Sequence, residues 1–209
     1  MLLLDSGICT AACYDWFTAA AFLGRRPAVY RRLALDAGIG SGDRVLDLGS
    51  GPGTLARAAA ELVGSYGTVI GLDRSPEMVI YAQRRGGDNR VGDVTRPPFA
   101  DQSFDVVVSA LALHHVELDN RDAVFTEAFR MLTPGGRMLV AEFVPPCGSL
   151  GKAVARGVFN EEIADDPRAD LVDRMTRAGF RRIETRGSGV LTVVRGVRPI
   201  GRSQQRLPQ

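Results

Sequence analysis

Short, unbroken apolar runs alternate along this chain with stretches of helical rhythm, and the alternation predicts most of its elements. Val45, Leu46 and Leu48 form a run too short for a helix, the pattern of a central strand buried on both faces. GTVIGLD (67–73), the very short RVGD (90–93), FDVVVSA (104–110) and RMLVAEF (137–143) predict four more strands. Between the first two, Leu55, Ala58, Ala59, Leu62 and Val63 fall on one helical face, with Thr54 placed to cap it. Ser75-Pro76-Glu77 opens a second helix that runs to about Arg85. Phe125, Ala128, Phe129 and Leu132 mark a third, stopped by TPGG, and a last helix around Leu171 to Ala178 ends at Gly179. This rhythm predicts an α/β fold: a doubly wound, Rossmann-like, mostly parallel sheet. Two strands joined at Gly187-Ser188-Gly189 form a hairpin, which makes the last strand antiparallel to its neighbour. A helical lead-in from about Ala11 to Ala37 carries Tyr14, Trp16, Phe17, Phe22 and Tyr30. The expected division is a helical extension over 1–40, the sheet domain over 41–198 and a flexible tail over 199–209.

Composition narrows the function classes. The 209 residues suffice for one domain with a full core, and 45% hydrophobic with 24% charged content excludes a disordered chain. A net charge of +2 supplies no footprint for nucleic acid or an anionic membrane. Every basic residue except Lys152 is arginine, and runs such as Arg25-Arg26 and Arg181-Arg182 read as solvated faces. Cys9, Cys13 and Cys147 are odd in number and lack framework spacing, which points to reduced thiols rather than disulfides or metal ligands. MLLLDSG has no positive start and its apolar run stops at Asp5, so it is not a signal peptide. No stretch approaches membrane-spanning length, and a cytoplasmic location is expected.

VLDLGSGPG (45–53) carries the first chemistry. Strand, glycine turn and helix N-terminus make a cradle for a nucleotide-type ligand. A dinucleotide site wants G-x-G-x-x-G, but Gly49, Gly51 and Gly53 give G-x-G-x-G, with Thr54 at the third dinucleotide glycine position. Asp47 also stands where that fingerprint has an apolar residue, and the terminal hairpin is foreign to a simple dinucleotide fold. Together with VIGLDRSPEMV (69–79), GDVTRPPFADQSFDVVVSALALHHV (92–116) and LTPGGRMLVAEF (132–143), the chain resembles the class I S-adenosylmethionine-dependent methyltransferases.

That resemblance implies S-adenosylmethionine as cofactor, with S-adenosylhomocysteine as product, and a set of roles. Gly49, Ser50, Gly51 and Gly53 admit the amino-acid part of the cofactor against backbone N–H groups. Asp47 holds that loop or the cofactor ammonium. Asp73 takes the ribose hydroxyls, Arg74 and Met78 flank the adenine, and Asp93 with the Val94 amide reads the adenine edge. Ser109 and Leu111 lie under the sulfonium. The turn after the fourth strand lacks the N-P-P-Y-like clamp of enzymes that methylate nucleic-acid amines, so a small-molecule acceptor is expected. Within the family the chain is most similar to the ubiquinone/menaquinone-type C-methyltransferases, through Tyr14-Asp15, RMLTPGGRMLVAEF with Pro145-Pro146, and AGFRRIETRGSGVLTVVRG. A quinone or another aromatic or secondary metabolite, methylated at C, O or N, follows from that likeness. The segment 145–167, which covers the acceptor in relatives, is short here. His114 and His115, the only histidines, and Tyr14 are the candidate catalytic or acceptor-wall residues. A homodimer is compatible with this reading. The alternative is a protein of the same fold that binds the cofactor without methylating, as a cyclase or regulatory partner.

Overall fold

The strand pattern at Val45–Leu48 has a direct structural counterpart. In the computed structural model, which describes residues 26–144, 167–188 and 191–201, β1 (Arg44–Leu48) separates two apolar clusters. Val45 enters one cluster and Leu46 and Leu48 the other, because alternate side chains leave opposite faces of a strand. All three are at most 1% exposed, so β1 is central. Its neighbours are β2 (Thr68–Asp73) and β4 (Phe104–Ala110), both parallel, with Val45 opposite Val69 on one side and Val106 on the other.

The full sheet has seven strands in the order β3-β2-β1-β4-β5-β7-β6, where β3 is Asp88–Val91, β5 Leu132–Phe143, β6 Arg181–Ser188 and β7 Leu191–Val197. The first five strands are parallel, and β7 runs antiparallel to both β5 and β6. The chain reverses direction across the sheet between β1 and β4, and such a switch point opens a crevice at the carboxyl ends of the strands. Helices α1 (Arg26–Asp36) and α2 (Thr54–Val63) pack on one face, where Tyr30, Leu33 and Ala34 meet Leu55, Ala59 and Val106. Helices α4 (Arg121–Met131) and α5 (Arg168–Ala178) cover the other through Phe125, Ala128, Met131, Leu171 and Met175. Between β2 and β3, α3 (Pro76–Gln83) buries Val79 and Ala82. Each large side chain so buried contributes about 1.5–3 kcal/mol. Tyr14, the three cysteines and nearly all of the 145–167 segment lie outside the described residues.

Four local expectations are corrected. Thr54 is the first residue of α2 rather than its cap; the cap position is Gly53, at φ 74° and without a side-chain cap. The third strand begins and ends two residues earlier than expected, because Ile70 to Asp73 pair with Asp88 to Val91. Gly92 then donates its N–H to the Asp73 carbonyl, and the chain turns away at Asp93. Leu132 belongs to β5, not to the preceding helix, since it pairs with Phe104 before a register shift that accommodates TPGG. Arg198 closes that helix end instead, donating from Nη1 to the carbonyls of Phe129, Arg130 and Leu132 while its guanidinium lies 4.8 Å from the Phe129 ring centroid. Gly187 and Ser188 are the last residues of β6 rather than the turn itself.

One glycine in β2 shows how tightly the sheet is tied to the loop above it. A Cβ at Gly71 would stand 2.0 Å from Asn89 Oδ1 and 2.7 Å from Ser50 Oγ, the buried pair that hydrogen-bonds at 3.1 Å. Gly71→Ala is expected to cost roughly 1–3 kcal/mol in urea denaturation through overpacking. Gly40→Ala, where a Cβ meets nothing within 4 Å, should stay within about 0.5 kcal/mol.

Candidate functional site

The glycine loop after β1 continues the pairing of the strands below it. Gly49 and Ser50 both donate their amides to the Leu72 carbonyl, at 2.8 and 3.1 Å. Gly51 donates to Asp73 Oδ2 at 2.7 Å, and Gly53 to the Ser50 carbonyl. These amides are therefore engaged within the protein. Glycine serves two other ends here. At Gly49 (φ 73°) a Cβ would fall 2.3 Å from the Ala112 Cβ, so only glycine lets the turn after β4 close on this loop. At Gly51 (φ 49°) the space above Cα is open, within the cleft.

Asp73 ends β2 and joins this loop to α3. Its Oδ1 accepts the Ser75 N–H at 2.9 Å while Oδ2 takes Gly51. Ser75 in turn caps α3 by accepting the Met78 N–H, with Pro76 in the first turn as its sequence implies. Met78 and Arg74 are thereby held beside Asp73. Past the end of β3, Asp93 Oδ1 accepts both the N–H and the hydroxyl of Thr95 at 2.8 Å. Those bonds, backbone first, hold its carboxyl below the usual carboxylate range against the opposing effect of burial.

Asp47 sits behind the loop rather than in it. It is 1% exposed and accepts the backbone N–H of Ala56, the third residue of α2. The acid of the strand thus does at α2 what Thr54 was expected to do, and the helix N-terminus is a favourable place for a carboxylate. Its Oδ2 has no partner among the described residues. Desolvation, with a smaller contribution from the Asp73 charge and against the Ala56 bond, pushes its carboxyl up to about 7.

Beyond β4 the chain is strained and tightly held. Leu111 takes φ 57°, uncommon for a side chain of this size, and donates its N–H to the Ala141 carbonyl at 2.8 Å. Glu142, 5% exposed near the end of β5, was not singled out in the sequence. Its Oε1 accepts the amides of Ala112 and Leu113 at 3.2 and 2.9 Å, and its Oε2 lies 2.9 Å from His114 Nδ1. An acid within an otherwise apolar strand was the available signal. Asn89 was likewise not singled out, although it is 1% exposed and bonds Ser50.

These elements line a cleft of about 620 Å³, within the range of small-molecule sites. It brings together Gly49, Gly51, Asp73, Arg74, Met78, Asp93, Val94, Ser109, Leu111 and His115 of the expected set. Asp47, Ser50, Gly53 and His114 support its walls from behind, and Tyr14 lies outside the described residues. Ser109, one of the residues around the cleft, is fully buried, and its Oγ has no hydrogen-bond partner among the described residues. No group of three or more His, Cys, Asp or Glu side chains among the described residues is placed to hold a metal. No helix among them is long and apolar enough to cross a membrane.

The raised Asp47 carboxyl sets a sign for stability against pH. Between the ordinary value of 3.8 and about 7 the unfolded chain releases this proton while the folded chain keeps it, so the folded state loses stability as pH rises through that window. The loss is on the order of 4 kcal/mol once the folded acid has ionised as well, above about pH 7. Asp47→Asn should gain stability relative to wild type between about pH 4 and pH 7 and hold a constant difference above that range. Urea midpoints across pH check it; a difference that does not vary with pH would contradict the buried, protonated acid.

The chain matches a family model described as a methyltransferase domain over residues 46–140, which takes in both loops and the cleft. It is 30% identical over 222 residues to the ubiquinone/menaquinone biosynthesis C-methyltransferase UbiE of Pseudomonas putida, an alignment covering 90% of this chain and 86% of the relative. The demethylmenaquinone methyltransferase of Clavibacter sepedonicus is 34% identical over 191 residues, covering 78% of this chain and 76% of that one. Among solved structures, a SAM-dependent methyltransferase from Aquifex aeolicus superposes with a TM-score of 0.66 at 18% identity, over 80% of this chain and 88% of that one. With its glycine loop, its acid-ended second strand and its antiparallel seventh strand, the chain belongs to the class I S-adenosylmethionine-dependent methyltransferases.

Proposed function

We propose that this protein transfers the methyl group of S-adenosylmethionine to the ring carbon of a small aromatic acceptor of the quinol type. The observation that carries the reading is that Asp73 and His115 line one cavity. An acid suited to anchor a ribose and an imidazole suited to accept a proton are lining residues of a cleft at the carboxyl ends of β1, β2 and β4, which supports this reading. The relatives named for quinone-pathway methylation support the acceptor class.

In this reading Asp73 receives the ribose hydroxyls. Each of its oxygens takes one backbone amide and keeps acceptor capacity for another hydrogen bond. Arg74 and Met78 flank the adenine, and Asp93 with the Val94 amide reads its edge. Ser109 and Leu111 lie beneath the sulfonium. The N-terminal extension over 1–40, with Tyr14, supplies part of the acceptor pocket. Bound S-adenosylmethionine supplies an electrophilic methyl, so the protein's task is to align the acceptor, exclude water and take one proton. Alignment is worth up to about 7–11 kcal/mol of the barrier. His115 takes the proton that the acceptor hydroxyl gives up as its ring carbon attacks the methyl and the S–CH3 bond breaks to release S-adenosylhomocysteine. The dienone so formed then loses its ring hydrogen as the oxygen regains a proton, and the base contributes roughly 10²–10⁴-fold.

Titration calorimetry with S-adenosylhomocysteine should give a dissociation constant in the micromolar range or tighter, about −8 kcal/mol. Asp73→Ala should weaken it by roughly tenfold or more, because the ribose contact and the order of Gly51 and Ser75 are lost together. The acceptor can be found by incubating cell extract with enzyme and methyl-labelled cofactor, then reading labelled products by mass spectrometry. A labelled macromolecule in place of an aromatic metabolite would overturn the acceptor class. On the acceptor so found, His115→Ala should slow turnover by about 100-fold while S-adenosylhomocysteine affinity stays within about threefold. Unchanged turnover would remove His115 as the base.

A further inference from the structure

The buried carboxylate of Glu142 has more bonds than packing requires. One oxygen collects the amides of Ala112 and Leu113, and the other meets His114 Nδ1. The two side chains are only 6% and 12% exposed, so this contact is sheltered from solvent. His114 does not line the cleft, but its ring centroid is 4.0 Å from that of His115, which does. Arg121 holds the turn from its other side, donating to the carbonyls of His114 and Val116.

We propose that Glu142 is a positioning residue: it fixes the tautomer and orientation of His114, and through that ring aims His115 at the acceptor end of the cleft. The proposal rests on the reading of His115 as the proton acceptor. A carboxylate can only accept hydrogen bonds, so His114 carries its proton on Nδ1. That bond stops the His114 ring from rotating beneath its neighbour. The same carboxylate anchors the amides that follow the strained Leu111, so the turn cannot relax away from the glycine loop it meets at Ala112. Holding a base by a second, buried group is how side chains reach the geometry that proton transfer needs.

Glu142→Gln tests this with little change of shape. The carboxamide oxygen can keep the two backbone amides, while its NH2 faces His114 and forces Nδ1 to accept. With only two histidines in the chain, long-range ¹H–¹⁵N spectra of the full protein, bound to S-adenosylhomocysteine at alkaline pH, resolve both rings. The expected result is an Nδ1–H His114 in wild type, an Nε2–H His114 in Glu142→Gln, and a shifted His115 resonance in that variant. Its kcat should fall by about tenfold, with S-adenosylhomocysteine affinity within about threefold. Added to His115→Ala, Glu142→Gln should cost nothing further, because both act through one group. An Nε2–H His114 in wild type, an unmoved His115 resonance, or additive losses would overturn the proposal. If His115→Ala keeps full turnover, the base reading fails separately, and the tautomer and the His115 resonance still decide whether Glu142 sets the geometry. The wild-type tautomer decides by itself should the variant not fold.

Discussion

The structure depends on a pairing that outlasts its strands. β1 and β2 stop being a regular ladder at Leu48 and Leu72, yet the amides of Gly49, Ser50 and Gly51 still find acceptors on β2, at the Leu72 carbonyl and the Asp73 carboxylate. Buried backbone groups need such partners, and a loop that crosses the top of a sheet has few to choose from. Because the loop is bound downward, its upper surface is left as space, and the cleft is that space. The same demand explains Gly71, which has no side chain because Asn89 and Ser50 meet where one would be.

Two buried acids then do work that a propensity argument assigns elsewhere. Asp47 replaces the side-chain cap that α2 lacks and stays mostly protonated below neutrality. Its burial is a cost in stability, tolerated where the helix start and the glycine loop must be held together. Glu142 occupies the corresponding place on the other side of the switch point, at the end of β5 under the turn after β4. The two acids stand under the two loops that form the cleft walls. The two loops meet where Gly49 packs against Ala112, so a shift in either is felt by the other.

The core periodicity was legible residue by residue. The strand from Phe104 to Ala110 was read with its observed bounds, and Gly179 ends the last helix at φ 103°, the conformation its position implied. Boundaries went astray where pairing overrode local signals. Leu132 has the spacing of a helical core residue, but its partner is Phe104, 28 positions earlier. Thr54 has the right chemistry for a cap, but an acid from the preceding strand reaches the helix first. The division of the site into residues that touch the cleft and residues behind it was not legible. Asp47 and Asp73 are both acids in or at the end of a strand, and only the fold sends one under the loop and the other to its edge.

By itself, then, the sequence determined the fold class and the methyl donor. Short-period patterns and a glycine turn constrain a backbone locally, and the motifs that carry the family resemblance are contiguous. Only the tertiary structure decided that the loop amides are spent inside the protein and that His115 rather than His114 faces the cleft. It also placed Glu142 and Asn89 under the loops that form the cleft walls. Those assignments depend on hydrogen bonds between residues 22 to 39 positions apart, and no local pattern encodes which distant acceptor a buried donor will find.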